Sequence, residues 1–185
     1  VSSPQLDDDY RGFSFHKDAV LDMRMDQSNP LTAKIVVNEY SYDKLVDIFY
    51  KFGEEKHARS IANAIIKNRP IETTLELAEI IKDSVSAKYR RDGHPARKTF
   101  QAIRIEVNDE LAGLSQAVSD MFNCLKVGGR LSIITFHSLE DRIVKSSFNQ
   151  YAQGCICPKD FPICVCGNKP KIKIINKRKK HGISK

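Results

Sequence analysis

The chain has 185 residues, of which 41% are hydrophobic and 29% charged, and its formal net charge is +7. This length and composition predict a globular protein of one domain, or one domain carrying an insertion, and argue against disorder throughout. The apolar runs are far shorter than the about 20 residues that a membrane-spanning helix needs, so we expect a cytoplasmic protein with no membrane partner.

The excess positive charge is concentrated at one end of the chain. From Lys169 to Lys185 there are eight basic residues and no acidic one, whereas the remainder is close to neutral. Such a run suits binding to a polyphosphate through counterion release. A solvated and partly disordered end is the alternative interpretation.

The first part of the chain is predicted to be an ordered loop followed by helices. Residues 7–30 show no helical period, and periodicity begins after Ser41, a plausible N-cap. A second helix follows Gly53, and Thr73 with Glu76 forms a capping-box pattern that opens a third. The three apolar stripes are Leu45, Ile48, Phe49 and Phe52; Ala58, Ile61, Ala62, Ile65 and Ile66; and Leu77, Ile80 and Ile81.

A long helix is predicted after the basic turn KYRRDGHPARK. Pro95 suits the first turn of this helix, and its apolar stripe runs from Phe100 to Leu125. The pair Gly128-Gly129 is expected to end it. The three short helices before it are predicted to make a small helical unit.

The remaining segments indicate an α/β fold. The apolar residues 131–136 are predicted to form a strand buried on both faces of a parallel sheet. Ser138 with Asp141 is expected to cap a helix that reaches about Tyr151, and residues 172–174 are a last candidate strand at a sheet edge. Helix, glycine turn, buried strand and helix are the order typical of α/β proteins.

Ligands of open α/β sheets bind beyond the carboxyl ends of the strands, and two such ends are predicted. One is the opening Val1-Ser2-Ser3-Pro4-Gln5, and the other is Phe136-His137-Ser138. The first turn offers carbonyls, hydroxyls and an amide in a shape fixed by proline, which suits holding the exocyclic amine of a base. A purely structural serine-proline turn is the default alternative.

Five long strings carry a family resemblance that covers nearly the whole chain. They are SSPQLDDDYRGFSF, LDMRMD, GEEKHARSIANAII, HPARKTFQAIRIEVNDEL and GGRLSIITFHSLEDRIVK. In this order they resemble the bacterial small-subunit (16S) rRNA cytosine-N4 methyltransferases. The resemblance implies a Rossmann-like (class I) core that uses S-adenosylmethionine, a helical insertion between its fourth and fifth strands, and a cytidine of the decoding centre as the substrate.

The resemblance also implies three regions of the chain. Residues 1–27 would be the end of core strand four and the loop after it, residues 28–93 the helical insertion that recognises the substrate, and residues 94–185 the second half of the core with a cysteine loop and a basic tail. In the family an Asp-Leu-Gly string precedes the Val-Ser-Ser-Pro-Gln string. We therefore expect an N-terminally truncated protein whose core is incomplete, which is inactive alone and poorly soluble.

Methyl transfer to cytosine N4 is expected to need alignment and no metal or covalent intermediate. The N4 lone pair is delocalised into the ring, so acceptors that hold the amino hydrogens out of plane would favour the transition state. Ser2, Ser3 and Pro4 are predicted to orient the base in this way. Gln5 is the one position that matches a cofactor contact of the family.

Further residues are candidates for binding the rRNA substrate, or the assembling small ribosomal subunit, around an unstacked cytidine. His94, Arg97, Gln101, Arg104 and Asn108 recur along the start of the long helix and could line a substrate groove, although a long helix also needs a polar face. Arg24 lies between two aspartates that could neutralise it. His137 and Ser138 are the other candidates, with a structural hydrogen-bonding role as the favoured alternative for His137.

Four cysteines form two C-x-C pairs in one short segment: Cys155, Cys157, Cys164 and Cys166. Clustered thiols of an intracellular protein indicate a metal more often than a disulfide framework. The C-x-C spacing differs from the usual C-x2-C of zinc sites, so unliganded reduced cysteines are favoured over tetrahedral zinc. Cys124 is interpreted as a packing residue.

Two functions are therefore predicted. The first is the methyltransferase, and the alternative is an RNA-binding module without chemistry, made of the helical unit, the cysteine loop and the basic tail. The first predicts cofactor binding by the complete core, and the second predicts salt-sensitive RNA binding with no dependence on the cofactor.

Overall fold

The structure, a computed structural model, describes residues 11–91, 93–158 and 165–175. Within these ranges the regular secondary structure is helical, apart from an isolated antiparallel bridge between Val20 and Thr73. The contacts divide the chain into two compact units, Val1–Glu110 and Leu111–Lys185. The boundaries after residues 27 and 93 stay a prediction.

The described part of the first unit contains six helices. They are α1 (Ala33–Glu39), α2 (Tyr42–Gly53), α3 (Ala58–Lys67), α4 (Thr74–Asp83), α5 (Ala87–Arg91) and α6 (Ala96–Asn108). The predicted N-caps of α2 and α4 are confirmed, because the Ser41 and Thr73 side chains accept hydrogen bonds from the third residue of their helices. The prediction missed α1, which Thr32 caps in the same way, and α5, which lies in the supposed basic turn.

The core of the first unit combines the helical stripes with residues of the preceding loop. Leu45, Phe49 and Ile61 are fully buried on the predicted faces of α2 and α3. Leu21 and Met23, which belong to the non-helical segment before α1, are fully buried beside them. Each such side chain contributes about 1.5–3 kcal/mol relative to an exposed one, so this loop is part of the folded core.

α2 and α6 approach closely at the end of α2. A Cβ atom placed on Gly53 would lie 2.7 Å from the carbonyl oxygen of Lys98. A larger residue would push the two backbones apart. Gly53 therefore allows α6 to pack against α2, which fixes the start of α6 in the first unit.

The prediction of one helix from Pro95 to Leu125 is wrong. α6 ends at Asn108, Asp109 adopts the left-handed conformation with φ +48°, and α7 begins only at Leu114. Asn and Asp tolerate this conformation better than most residues, so an Asn-Asp pair can end a helix whose apolar stripe continues beyond it.

The second unit contains α7 (Leu114–Asn123) and α8 (Ser138–Ala152) in its described part. The two helices pack through stacked rings of Phe122 and Tyr151, whose centroids are 4.3 Å apart. The Tyr151 hydroxyl donates a hydrogen bond to Ser119 Oγ at 2.9 Å. α8 confirms the helix predicted up to about Tyr151.

The predicted buried strand at residues 131–136 is not formed. This segment has no strand assignment, and Ile134 and Phe136 are 82% and 88% exposed. A strand needs a neighbouring backbone to complete its hydrogen bonds, and no described segment supplies one. The candidate edge strand at 172–174 is likewise not assigned as a strand. The sheet of the predicted α/β core is therefore not seen in the described residues.

No helix in the described ranges combines the length and the apolar composition needed to cross a membrane.

Candidate functional site

The residues predicted to orient the base and to contact the cofactor, Ser2, Ser3, Pro4 and Gln5, lie outside the described residues. Their roles stay predictions. The other candidates fall into three places: the start and face of α6, the loop before α1, and the start of α8 with the segment that follows it.

Asn108 joins the end of α6 to the loop before α1. Its side-chain oxygen accepts a hydrogen bond from the Met25 amide at 2.6 Å, and its Nδ2 donates to the carbonyls of Met23 and Arg104 at 2.7 and 2.9 Å. Asn29 Nδ2 donates in turn to the Val107 carbonyl at 2.7 Å. These contacts use the hydrogen-bonding capacity of the Asn108 amide within the protein.

Gln101 and Arg104 also make contacts inside the first unit. Gln101 Nε2 donates to the Phe52 carbonyl at 2.9 Å. Arg104 forms a two-point ion pair with Glu110, with Nε–Oε1 at 2.8 Å and Nη2–Oε2 at 3.2 Å. With Asn108, these residues cover a face of α6 that meets other segments of the chain. Their contacts support a structural role over a substrate groove.

His94 differs, because its ring takes part in an exposed cluster at the start of α6. It stacks on Phe15 with centroids 4.4 Å apart and lies 5.4 Å from the His16 ring, while Phe15 meets Phe100 edge-on at 5.6 Å. His16 and His94 are exposed, and Phe100 anchors the cluster in the core. This surface, formed by Phe15, His16 and His94, is called the ring platform below.

The protonation state of His94 follows from its contacts. Its Nδ1 accepts a hydrogen bond from the Ala96 amide at 3.3 Å, which requires an unprotonated nitrogen. Partial burial, helped by the nearby His16, holds the pKa of His94 below its usual value. Near neutral pH the ring is therefore an uncharged stacking surface.

Arg97 lies one turn along α6 from His94 and is exposed. No hydrogen bond or ion pair of its guanidinium to the described residues is found. An arginine in this state retains its five N–H donors and its planar face for a phosphate or a base. Of the five residues predicted along α6, His94 and Arg97 are thus the two whose side chains present binding groups to solvent.

Arg24 is held by its own loop. Its Nε and Nη2 donate to the two carboxylate oxygens of Asp22 at 2.8 and 2.9 Å, and its Nη1 donates to the carbonyls of Gln27 and Asn29 at 2.9 and 3.0 Å. The Arg24 hydrogen bond holds the pKa of Asp22 below its usual range. Asp26 bonds instead to Ser28. Arg24 is neutralised by one of its two neighbouring aspartates, which supports the structural alternative.

His137 caps α8. Its side chain accepts a hydrogen bond from the Glu140 amide, and the Glu140 carboxylate accepts from the amides of Phe136 and His137 at 2.8 and 3.3 Å. The predicted cap formed by Ser138 and Asp141 is therefore wrong by one residue, since Ser138 is already helical. The contacts favour the structural role that was the alternative for His137, and Ser138 is exposed.

Three of the four clustered cysteines are described, and the structure brings them together. The sulfur atoms of Cys155, Cys157 and Cys166 all lie within 4.8 Å of one another. Cys164 lies outside the described residues. The C-x-C spacing predicted a cluster, but not the approach of sulfurs that are eleven residues apart.

Phe15 and His16 were missed as candidate site residues. The sequence shows an aromatic pair followed by histidine, GFSFH, at residues 12–16. Nothing local links this string to His94, which is 78 positions further along the chain from His16. The aromatic residue beside a histidine in a polar loop is the one local signal that could have selected them.

Comparison with known proteins gives a consistent result. Residues 1–182 match the model of the MraW methylase family. A protein of Carboxydothermus hydrogenoformans named ribosomal RNA small subunit methyltransferase H is 56% identical over 181 residues, and proteins of the same name from Halothermothrix orenii and Clostridium botulinum (strain Loch Maree / Type A3) are 55% and 57% identical over 182 and 181 residues. These alignments cover 96% of this chain and 58–59% of each relative. The chain thus spans less than two thirds of the length of the relatives it matches.

Proposed function

Because the chain belongs to the MraW methylase family, we propose that it forms the rRNA-recognising part of a methyltransferase that transfers a methyl group from S-adenosylmethionine to N4 of a cytidine in small-subunit rRNA. The proposal is carried by the match over residues 1–182 and by relatives named as small-subunit rRNA methyltransferases. The methylated atom, N4 of cytidine, and its location in the decoding centre are implied by the resemblance of the five quoted strings to the methyltransferase family.

The described residues support recognition of RNA more directly than chemistry. Exposed aromatic and imidazole rings stack on unpaired bases, and arginine binds phosphate or stacks on a base. The ring platform and Arg97 supply both kinds of group within one turn at the start of α6. We assign them contacts to nucleotides on the rRNA substrate.

The chemical step is assigned to residues outside the described ranges. Ser2, Ser3 and Pro4 orient the cytosine amine in this proposal, and Gln5 contacts S-adenosylmethionine. No described side chain is assigned to the cofactor. The Rossmann-like sheet belongs to the same proposal, in which residues 131–136 would become a strand once the complete core supplies partner strands.

A chimera tests the activity. This chain replaces the matched region of the Carboxydothermus relative, and the chimera is incubated with small-subunit rRNA and S-adenosylmethionine carrying a labelled methyl group. Mass spectrometry of the digested nucleosides is expected to show labelled N4-methylcytidine. A folded chimera that labels another atom, or none, contradicts the proposal.

Two substitutions test the RNA surface on the same chimera. His94→Ala and Arg97→Ala are each expected to weaken rRNA binding by roughly 5- to 150-fold, the effect of losing about 1–3 kcal/mol of stacking or phosphate contact. Lys51→Ala, an exposed cation on α2, is the matched control. Binding by the two variants within twofold of this control would show that the start of α6 does not contact RNA.

The same measurement separates the alternative function. A binding module without chemistry would hold rRNA with a strong salt dependence whether or not S-adenosylmethionine is present, and the chimera would form no methylated nucleoside.

A further inference from the structure

The segment after α8 contains a cluster of thiols that the proposed function does not use. Cys155, Cys157 and Cys166 lie in the second unit, and their sulfur atoms could all contact one ion, since they are within 4.8 Å of one another. The sulfurs of Cys155 and Cys166 are 3.7 Å apart.

We propose that Cys155, Cys157 and Cys166 bind a zinc ion through their thiolates. In a tetrahedral site with Zn–S bonds of about 2.3 Å, two ligand sulfurs are separated by about 3.8 Å. The measured 3.7 Å between Cys155 and Cys166 matches this edge. A disulfide would need about 2.05 Å, so these two sulfurs are not bonded to each other.

Backbone amides support the charged form of two sulfurs. The Ile156 amide donates to Cys166 Sγ and the Cys157 amide donates to Cys155 Sγ, both at 3.4 Å. Hydrogen bonds to sulfur stabilise a thiolate, and such outer contacts fix ligands around metals in proteins. Two backbone amides thus point at ligand sulfurs.

A polar contact joins the two described ends of the cysteine segment. Asn168 Nδ2 donates to the carbonyls of Gly154 and Gln153 at 2.6 and 3.2 Å, which joins the residues just before Cys155 to those just after Cys166. Gly167 makes the required turn with φ +62°. Ile156 and Val165, the apolar residues between the cysteines of each pair, are exposed. A short segment with exposed apolar residues gains its rigidity from a metal more readily than from packing.

The donor set selects the ion. Three thiolates exclude magnesium and calcium, which prefer oxygen, and favour zinc, copper(I) or iron. The 3.7 Å separation suits tetrahedral zinc or iron, and the proposal takes zinc as the ion of structural thiolate sites, which elemental analysis distinguishes from iron. Cys164 lies outside the described residues and is not part of it. The site stands independently of methyl transfer, so loss of zinc and loss of activity can be observed separately.

Metal content tests the proposal first. The full chain, purified without chelator, is expected to contain about one zinc per chain by elemental analysis. Cys155→Ser and Cys166→Ser should weaken zinc binding by at least about 100-fold in competition with a chromophoric chelator, while Cys124→Ser, an exposed cysteine outside the cluster, should not. A different metal at full occupancy, or equal zinc affinity in all three variants, would overturn the proposal.

A second measurement needs no substitution and so does not depend on the variants folding. The chain is alkylated with and without a zinc chelator, and each cysteine is followed by peptide mass spectrometry. The chelator should raise the alkylation rates of Cys155, Cys157 and Cys166 by roughly tenfold or more, because a thiolate bound to metal is shielded. Cys124 should be unaffected and serves as the internal reference. Equal rates at the three clustered cysteines with and without chelator, or a disulfide between any two of them, would refute zinc binding.

Discussion

The two units bury their apolar residues to very different extents. In the first unit, the core cluster extends from Phe13 to Val107 and contains many fully buried side chains. In the second unit, Val118, Leu139 and Val144 are the buried apolar residues in the described part, while Val127, Ile134 and Phe136 project into solvent. Similar apolar composition therefore yields a closed core only where the segments supply partners for one another.

The two units differ in burial because the first is built from amphipathic helices and the second contains an extended apolar segment. Amphipathic helices bury their stripes against neighbouring helices and loops, which α2, α3, α4 and α6 do in the first unit. An extended segment such as 131–136 has two faces and two backbone edges to cover, and a pair of helices leaves most of them exposed. Its apolar composition suits a central strand, which supports the proposed sheet.

The largest expected effect compares one phenylalanine from each unit. Phe49→Ala should lower the free energy of unfolding by about 3–5 kcal/mol, because it leaves a cavity in the core of the first unit. Phe136→Ala removes an exposed ring and should cost less than about 0.5 kcal/mol. Urea titration followed by circular dichroism measures both. An equal loss of unfolding free energy in both variants would contradict the contrast between the units, since Phe136 would then be buried in the folded protein.

A smaller effect is expected from the polar contacts that hold the loop before α1. Asn108→Ala removes one acceptor and two donors and should cost about 1–3 kcal/mol. Asn63→Ala, on the exposed side of α3, is the matched control and should stay within about 0.5 kcal/mol of the unaltered chain. An Asn108→Ala protein with unchanged stability and weakened RNA binding would instead restore its predicted substrate role.

Some elements of the fold can be predicted from the sequence because nearby residues specify them, and others cannot. The helices capped by Ser41 and Thr73 are specified by residues within a few positions, so stripe and cap predict them. The strand at 131–136 depends on a partner backbone, which its own composition does not specify. The end of α6 at Asp109 is an intermediate case. The apolar stripe continues past this residue and predicts a longer helix, while the left-handed backbone of Asp109 ends it.

The candidate site shows the same contrast between features that nearby residues specify and features that depend on distant partners. The spacing correctly places Arg97, Gln101, Arg104 and Asn108 along one helix, whereas His94 lies two residues before its first residue. Whether each side chain is available depends on partners far away in the sequence, such as the Met23 carbonyl for Asn108, 85 positions distant. The cysteines repeat this lesson, since their spacing is visible in the sequence but the 3.7 Å approach of the Cys155 and Cys166 sulfurs is not.

Acid should weaken the first unit through Asp22. Its pKa is held below the usual 3.8, chiefly by the Arg24 hydrogen bond, so the folded form binds a proton less readily than the unfolded form. The stabilisation is complete above about pH 4 and is lost as the pH falls through the folded pKa. Melting temperatures between about pH 5 and about pH 2 should fall less steeply for Asp22→Asn than for the unaltered chain. Asp18→Asn, an exposed carboxylate, should retain the steep fall.

The smallest effect is expected at the ring platform, where His94 titrates nearer to neutral pH. Burial holds the pKa of His94 below its usual 6.5, with His16 and Lys82 acting in the same direction and Glu79 against them. The unfolded chain therefore binds this proton more readily, so stability is unaffected above about pH 7 and declines as the pH falls below about 6.5. His94→Gln should flatten the decline of the melting temperature between about pH 7 and about pH 5.

His16→Gln is the matched control for this last effect, because it removes one neighbour while leaving His94 partly buried against Phe15. Most of the decline should remain in this variant, since desolvation is the first cause of the lowered pKa. If the decline disappears in His16→Gln but persists in His94→Gln, protonation of His94 is not its cause and the prediction is wrong. Because His94 is uncharged at neutral pH, the proposed RNA binding through the ring platform should keep its strength from about pH 7 upwards.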